Sequence, residues 1–102
     1  MASTNTSELI EALASEIGEN LYIDIAKWHL YLSTAKLHTV VAEKVYPLLV
    51  EDTINEDRVV EVLRSISVKI GGGRREIPLI DLLPLQSQVH LVDILENFQR
   101  EM

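Results

Sequence analysis

Asp24, Tyr31 and His38 recur at seven-residue intervals, with Lys27 and Thr34 beside them, and Tyr22, His29, Ser33 and Lys36 form a second polar strip. A carboxylate, a phenol and an imidazole are the side chains that move protons in general acid–base chemistry. On a helix, however, seven residues span about 10 Å of axial rise, so successive members cannot hydrogen-bond directly. The ordinary fate of such strips is solvation or bonding to neighbouring helices. Asp24, Lys27, Tyr31 and His38 therefore stand as candidate contact residues rather than as catalysts.

The second chemical feature is Lys69-Ile70-Gly71-Gly72-Gly73-Arg74-Arg75. The chain of 102 residues carries nine Lys and Arg against sixteen Asp and Glu, a formal charge of −7. Without Lys69, Arg74 and Arg75, six basic residues face the same sixteen acids, a charge of −10, so the segment is a cationic island on an acidic body. Glycines allow consecutive amides to converge on an anion, and the arginine fork grips carboxylate or phosphate through two parallel bonds. Neither the Gly-Lys-Ser/Thr ending of a phosphate loop nor Gly-x-Gly-x-x-Gly is present. Two readings stay open. Lys69, Gly71, Gly72, Gly73, Arg74 and Arg75 bind a partner or an anion, or they form a turn whose arginines pair with the protein's own carboxylates.

Other chemistries find no support. The chain has no cysteine, which removes disulfides, thiolate catalysis and cysteine-based zinc sites. His29 and His38 are nine residues apart and fall on opposite sides of a helix, and no His-Glu-x-x-His or calcium loop occurs, so neither metal nor cofactor is expected. Ser and His lack a nucleophile elbow, so no catalytic residue is assigned and the expectation leans towards a non-enzyme. The acidic balance opposes general nucleic-acid binding. The longest apolar runs fall far short of the ~20 residues of a membrane span, and the polar opening lacks the apolar core of a secretory signal. A soluble, cytoplasmic protein is expected.

The elements that position these residues follow from hydrophobic spacing. At 47% apolar and 25% charged the composition is globular, and the length suits one domain, residues 7–102, behind a disordered tail, residues 1–6. Thr6 or Ser7 caps a first helix to about residue 17, which Gly18 ends or kinks. Leu21, Ile25, Trp28, Leu32 and Ala35 are spaced four, three, four, three, and Ile23, Ala26, Leu30 and Leu37 form a second stripe. A helix apolar on two sides is sandwiched, so residues 20–38 read as a central helix hiding Trp28. Residues 21–32 are also rich in aromatic and β-branched types, as a strand would be, but the four-three rhythm favours the helix. Thr39 caps a third helix over residues 40–46, stopped or kinked by Pro47. Asn55 caps a fourth that buries Val59, Val62, Leu63 and Ile66. A β-hairpin covers residues 67–79, with Pro78 at an edge or strand end. The last helix, from residue 86 or 87 to 100, buries Leu91, Ile94, Leu95 and Phe98. The expected fold is mostly α (α+β): a compact helical bundle around a central helix, with one small β-hairpin.

Leu21-Tyr22-Ile23-Asp24-Ile25-Ala26-Lys27-Trp28-His29-Leu30-Tyr31-Leu32 resembles a small family of uncharacterised cyanobacterial proteins. Further similar blocks are Lys36-Leu37-His38-Thr39, Tyr46-Pro47-Leu48-Leu49, Val68-Lys69-Ile70-Gly71-Gly72-Gly73 and Ile77-Pro78-Leu79, so the resemblance covers roughly residues 10–84. It implies a phototroph's cytoplasm or thylakoid surface and supplies no catalytic residue. The expected function is a non-catalytic protein-interaction module, with a protein partner or a second copy of the chain. The alternative is an anion or small-ligand binder, even an enzyme, using the Gly71 to Arg75 tip with His38 or His29 nearby.

Overall fold

The computed structural model describes residues 6–25, 28–70 and 72–101. In chain order they form α1 (Thr6–Asn20), β1 (Tyr22–Ile25), β2 (Trp28–Tyr31), α2 (His38–Val50), α3 (Glu56–Ser65), β3 (Ser67–Ile70), β4 (Arg75–Pro78), α4 (Leu79–Leu82) and α5 (Leu85–Glu101). The fold is mostly helical, with two separate two-stranded antiparallel sheets, β1–β2 and β3–β4. One core joins the helices: Leu13 and Ile17 of α1, Val41 and Val45 of α2, Val59 and Leu63 of α3, Leu79 of α4, and Leu91 and Leu95 of α5 are buried in a single cluster. Each such side chain stabilises the fold by about 1.5–3 kcal/mol relative to exposure.

Local signals explain most boundaries. The Asn55 side chain accepts a hydrogen bond of 2.9 Å from the Arg58 amide, and Glu56 and Asp57 occupy the electropositive first turn of α3. Helix α1 includes Thr6, which the expected tail had claimed, and runs past Gly18 to Asn20. Helix α2 begins at His38 behind Leu37, which provides no side-chain cap, so the cap expected at Thr39 is not used. Pro47 does not end this helix. It lies on the exposed side, while Val41, Ala42, Val45, Leu48 and Leu49 pack both flanking turns onto the core and outweigh one missing amide bond. At the far end of the molecule's longest helix, Gln99 Nε2 donates to the Leu49 carbonyl (3.1 Å) and to Asp52 Oδ1 (3.0 Å), locking α5 against the turn after α2. In that turn Asp52 has a φ of 56°.

The described residues between 20 and 38 form no central helix; the strand reading prevails there. Tyr22 pairs with Tyr31, Ile23 with Leu30, Asp24 with His29 and Ile25 with Trp28. Ile23 is buried and Leu30 packs partly against the core, whereas Asp24, His29 and Tyr31 are exposed, a period of two rather than 3.6. Four-three spacing and strict alternation share several apolar positions here, and aromatic and β-branched content tips the balance to a strand. Lys27 and the Trp28 side chain lie outside the described residues.

What holds the hairpin is a backbone bridge at its base. The Leu32 amide donates to the Leu21 carbonyl (2.9 Å) and the Ser33 amide to the Gly18 carbonyl (3.2 Å). The chain then turns through Lys36, with a φ of 61°, into α2. Gly18 permits this approach. A Cβ there would lie 2.9 Å from Ser33 Cβ and 3.0 Å from His38 Cβ. The glycine therefore serves close packing inside a continuing helix, not the helix end expected from its type. Gly18→Ala should gain helix propensity of up to about 1 kcal/mol yet lose about 1–3 kcal/mol to overpacking. A net fall in the urea midpoint is the expected result, and an unchanged or raised midpoint would contradict the close approach.

Candidate functional site

The basic segment folds as expected into a tight hairpin. In β3–β4, Val68 pairs with Ile77, Lys69 with Glu76, and Ile70 with Arg75. Gly72 and Gly73 adopt φ of 72° and 87°, the left-handed values that hairpin turns of the primed type require. A Cβ at either would meet nothing within 4 Å, so these glycines serve backbone conformation rather than a close neighbour. Gly71 lies outside the described residues. Lys69, Arg74 and Arg75 are all exposed. Among the described residues the one contact of ion-pair geometry joins His29 to Asp24, so no carboxylate there pairs with Lys69, Arg74 or Arg75.

The hairpin β1–β2 rearranges the polar strips. Asp24 and Tyr31 remain on one face, but His38 leaves it for the start of α2. Tyr22 and His29, expected on the other side of a helix, join them instead. A separation of nine residues puts Tyr22 and Tyr31 on opposite sides of a helix at about 100° per residue; antiparallel register puts them directly across from one another. His29 Nδ1 meets Asp24 Oδ1, and the imidazole is 73% exposed. The Tyr22 ring stands edge-on to His29, with centroids 5.3 Å apart, and edge-on to Tyr31 at 6.3 Å. These three rings line a depression of about 310 Å³. Period-two alternation through residues 22–25 and 28–31 is the signal that points to this face. The Ser87 hydroxyl donates to the Tyr22 carbonyl (3.3 Å), buttressing β1 from α5.

His38 sits apart, beside a cavity of about 320 Å³ between α1 and α2, lined with it by Ile10, Ala14 and Ser15 among others. Its Nδ1 is buried without a hydrogen-bond partner in the described structure. Neither this cavity nor the one at His29 includes a residue of the basic tip. A third depression, about 440 Å³, runs between α1 and α5 with Glu16, Asp93 and Glu101 on its rim and Ile94 and Phe98 beneath. Among the described residues no group of three or more His, Asp or Glu side chains could hold a metal ion, and no helix is long and apolar enough to cross a membrane.

The geometry defines a small α+β scaffold of five helices and two hairpins among the described residues, with a cationic turn and a tyrosine–histidine face presented on separate hairpins. By sequence the chain belongs to the family described as "Protein of unknown function (DUF3181)", which it matches over residues 10–98. The match extends beyond the resemblance seen in residues 10–84 and takes in most of α5. The chain is 46% identical over 96 residues to the "Thylakoid-associated protein slr0729" of Synechocystis sp., covering 94% of this chain and 95% of that protein. No solved structure matches it significantly. The conformation of the tip leads to a direct test. Gly73→Val, which forces a β-branched residue to a φ of 87°, should destabilise the domain by about 1–2 kcal/mol. Urea denaturation checks this, and an unaltered midpoint would contradict the left-handed turn.

Proposed function

We propose that the protein is a non-catalytic docking module, held peripherally at the cytoplasmic face of the thylakoid membrane by an acidic surface on a protein partner. The observation that carries this reading is the free charge on the β3–β4 turn. Lys69, Arg74 and Arg75 are exposed, and among the described residues none of them enters an ion pair, although the chain carries sixteen carboxylates. One cationic projection on an acidic body gives the molecule a strong charge asymmetry. A complementary acidic patch draws the tip inward while the remainder of the surface is repelled, which fixes orientation and speeds encounter.

The same charges argue for a protein rather than a lipid surface. Lipid recognition by basic residues ordinarily uses clusters of four to eight Lys and Arg, and the net charge of −7 adds repulsion from anionic headgroups. The location is supported by the relative: its name carries thylakoid association, and the two chains align over nearly their whole lengths.

Arg74→Glu combined with Arg75→Glu should lower co-sedimentation with isolated thylakoid membranes by about tenfold, equivalent to ~1.4 kcal/mol. The thermal melt should stay close to wild type, because both side chains are exposed. Protease-shaved membranes should lose the wild-type protein as well. Undiminished sedimentation of the double variant, or full binding to shaved membranes, would contradict the proposal. Sedimentation of the purified protein alone distinguishes a foreign partner from a second copy of the chain, which would appear as a salt-sensitive dimer.

A further inference from the structure

We propose that the outward face of the β1–β2 hairpin is a binding site for an N-methylated ammonium cation. Tyr22, His29 and Tyr31 wall the depression of about 310 Å³, a size at the small-ligand end of the usual range. The Tyr22 ring is inclined by 77° to His29 and by 75° to Tyr31. The rings meet at steep angles instead of stacking, so the open depression that they line is bounded by aromatic surface from both strands. Aromatic faces carry negative quadrupole charge and attract a cation lying within about 6 Å of the ring centroid. With the Tyr22 and Tyr31 centroids 6.3 Å apart, a cation seated between these two rings comes within that reach of both.

The chemistry favours a methylated nitrogen over a primary ammonium. A primary ammonium entering an aromatic depression gives up water hydrogen bonds that ring carbons cannot replace. A quaternary nitrogen has no N–H to satisfy and presents only apolar methyl groups with diffuse positive charge. Asp24 stands on the same face beside His29, and the acidic body adds long-range attraction for any cation. The walls are also held in place before a ligand arrives. Register sets Tyr22 opposite Tyr31, the Ser87 hydroxyl holds the Tyr22 carbonyl, and the Leu32 amide ties the hairpin base to Leu21. Preorganised walls lower the ordering cost of binding. This site is independent of the basic turn on β3–β4, and its failure would leave the docking proposal standing.

The test is a titration of the intact protein with tetramethylammonium chloride, followed by the ring-proton NMR signals of Tyr22, His29 and Tyr31, with sodium chloride and ammonium chloride as matched controls. Saturable shifts confined to these three rings, seen with tetramethylammonium and not with sodium or ammonium, are the expected result. Tyr31 is 53% exposed, so Tyr31→Ala should fold; it should weaken binding about tenfold. Tyr31→Phe keeps the ring and should bind like wild type. Shifts that never saturate, shifts shared with sodium or ammonium, or undiminished binding by Tyr31→Ala would overturn the proposal and leave the rings as cross-strand hairpin packing. Choline and a peptide bearing trimethyllysine then identify the source. Tighter binding of the peptide assigns the cation to a modified protein, and equal binding assigns it to a free quaternary amine.

Discussion

Everything on the β1–β2 side of the molecule hangs from the bridge between the end of α1 and the turn into α2. Two backbone hydrogen bonds, Leu32 to Leu21 and Ser33 to Gly18, close the hairpin at its base. They can form because Gly18 has no side chain to meet Ser33 and His38. Once that closure is made, pairing from Tyr22–Tyr31 outward is set, Ile23 turns into the core, and the polar partners turn out. A slip of one residue would exchange the two faces and expose Ile23. The bridge therefore fixes both the burial of the strand and the composition of its outer face.

The legibility of the sequence varied with how local each signal was. Helix α3 could be read because its cap, its acidic first turn and its buried Val59 and Leu63 all lie within ten residues and agree. The hairpin β3–β4 could be read because three glycines and Pro78 oppose a helix on their own. The hairpin β1–β2 carries the spacing of a central helix. Ala26 and Lys27, between its strands, are good helix formers, and its apolar residues satisfy both periods. What decides the matter is tertiary: the bare Gly18 receives a segment fifteen residues further along the chain. The short α4 carries too few residues for periodicity to reveal. In the same way the cationic turn was visible from composition, while the tyrosine–histidine face was not, because only register brings Tyr22, His29 and Tyr31 together.

Charge is distributed unevenly over this scaffold. Glu16, Asp93 and Glu101 rim the α1–α5 depression, whereas the β3–β4 turn extends Lys69, Arg74 and Arg75 without internal partners among the described residues. Separated charges of opposite sign favour oriented association over adhesion to any charged surface.

The tyrosine–histidine face and the bridge beneath it both require β1 and β2 to pair as a closed hairpin rather than run on as a rod. Solution NMR measures this through backbone proton contacts. Cross-strand contacts between residues 22 and 31 and between 23 and 30, with the Ser33 amide protected from exchange, are the expected pattern. An unbroken ladder of contacts from each residue to the third one on, running from Asn20 to His38, would contradict it and remove the tyrosine–histidine face along with the bridge.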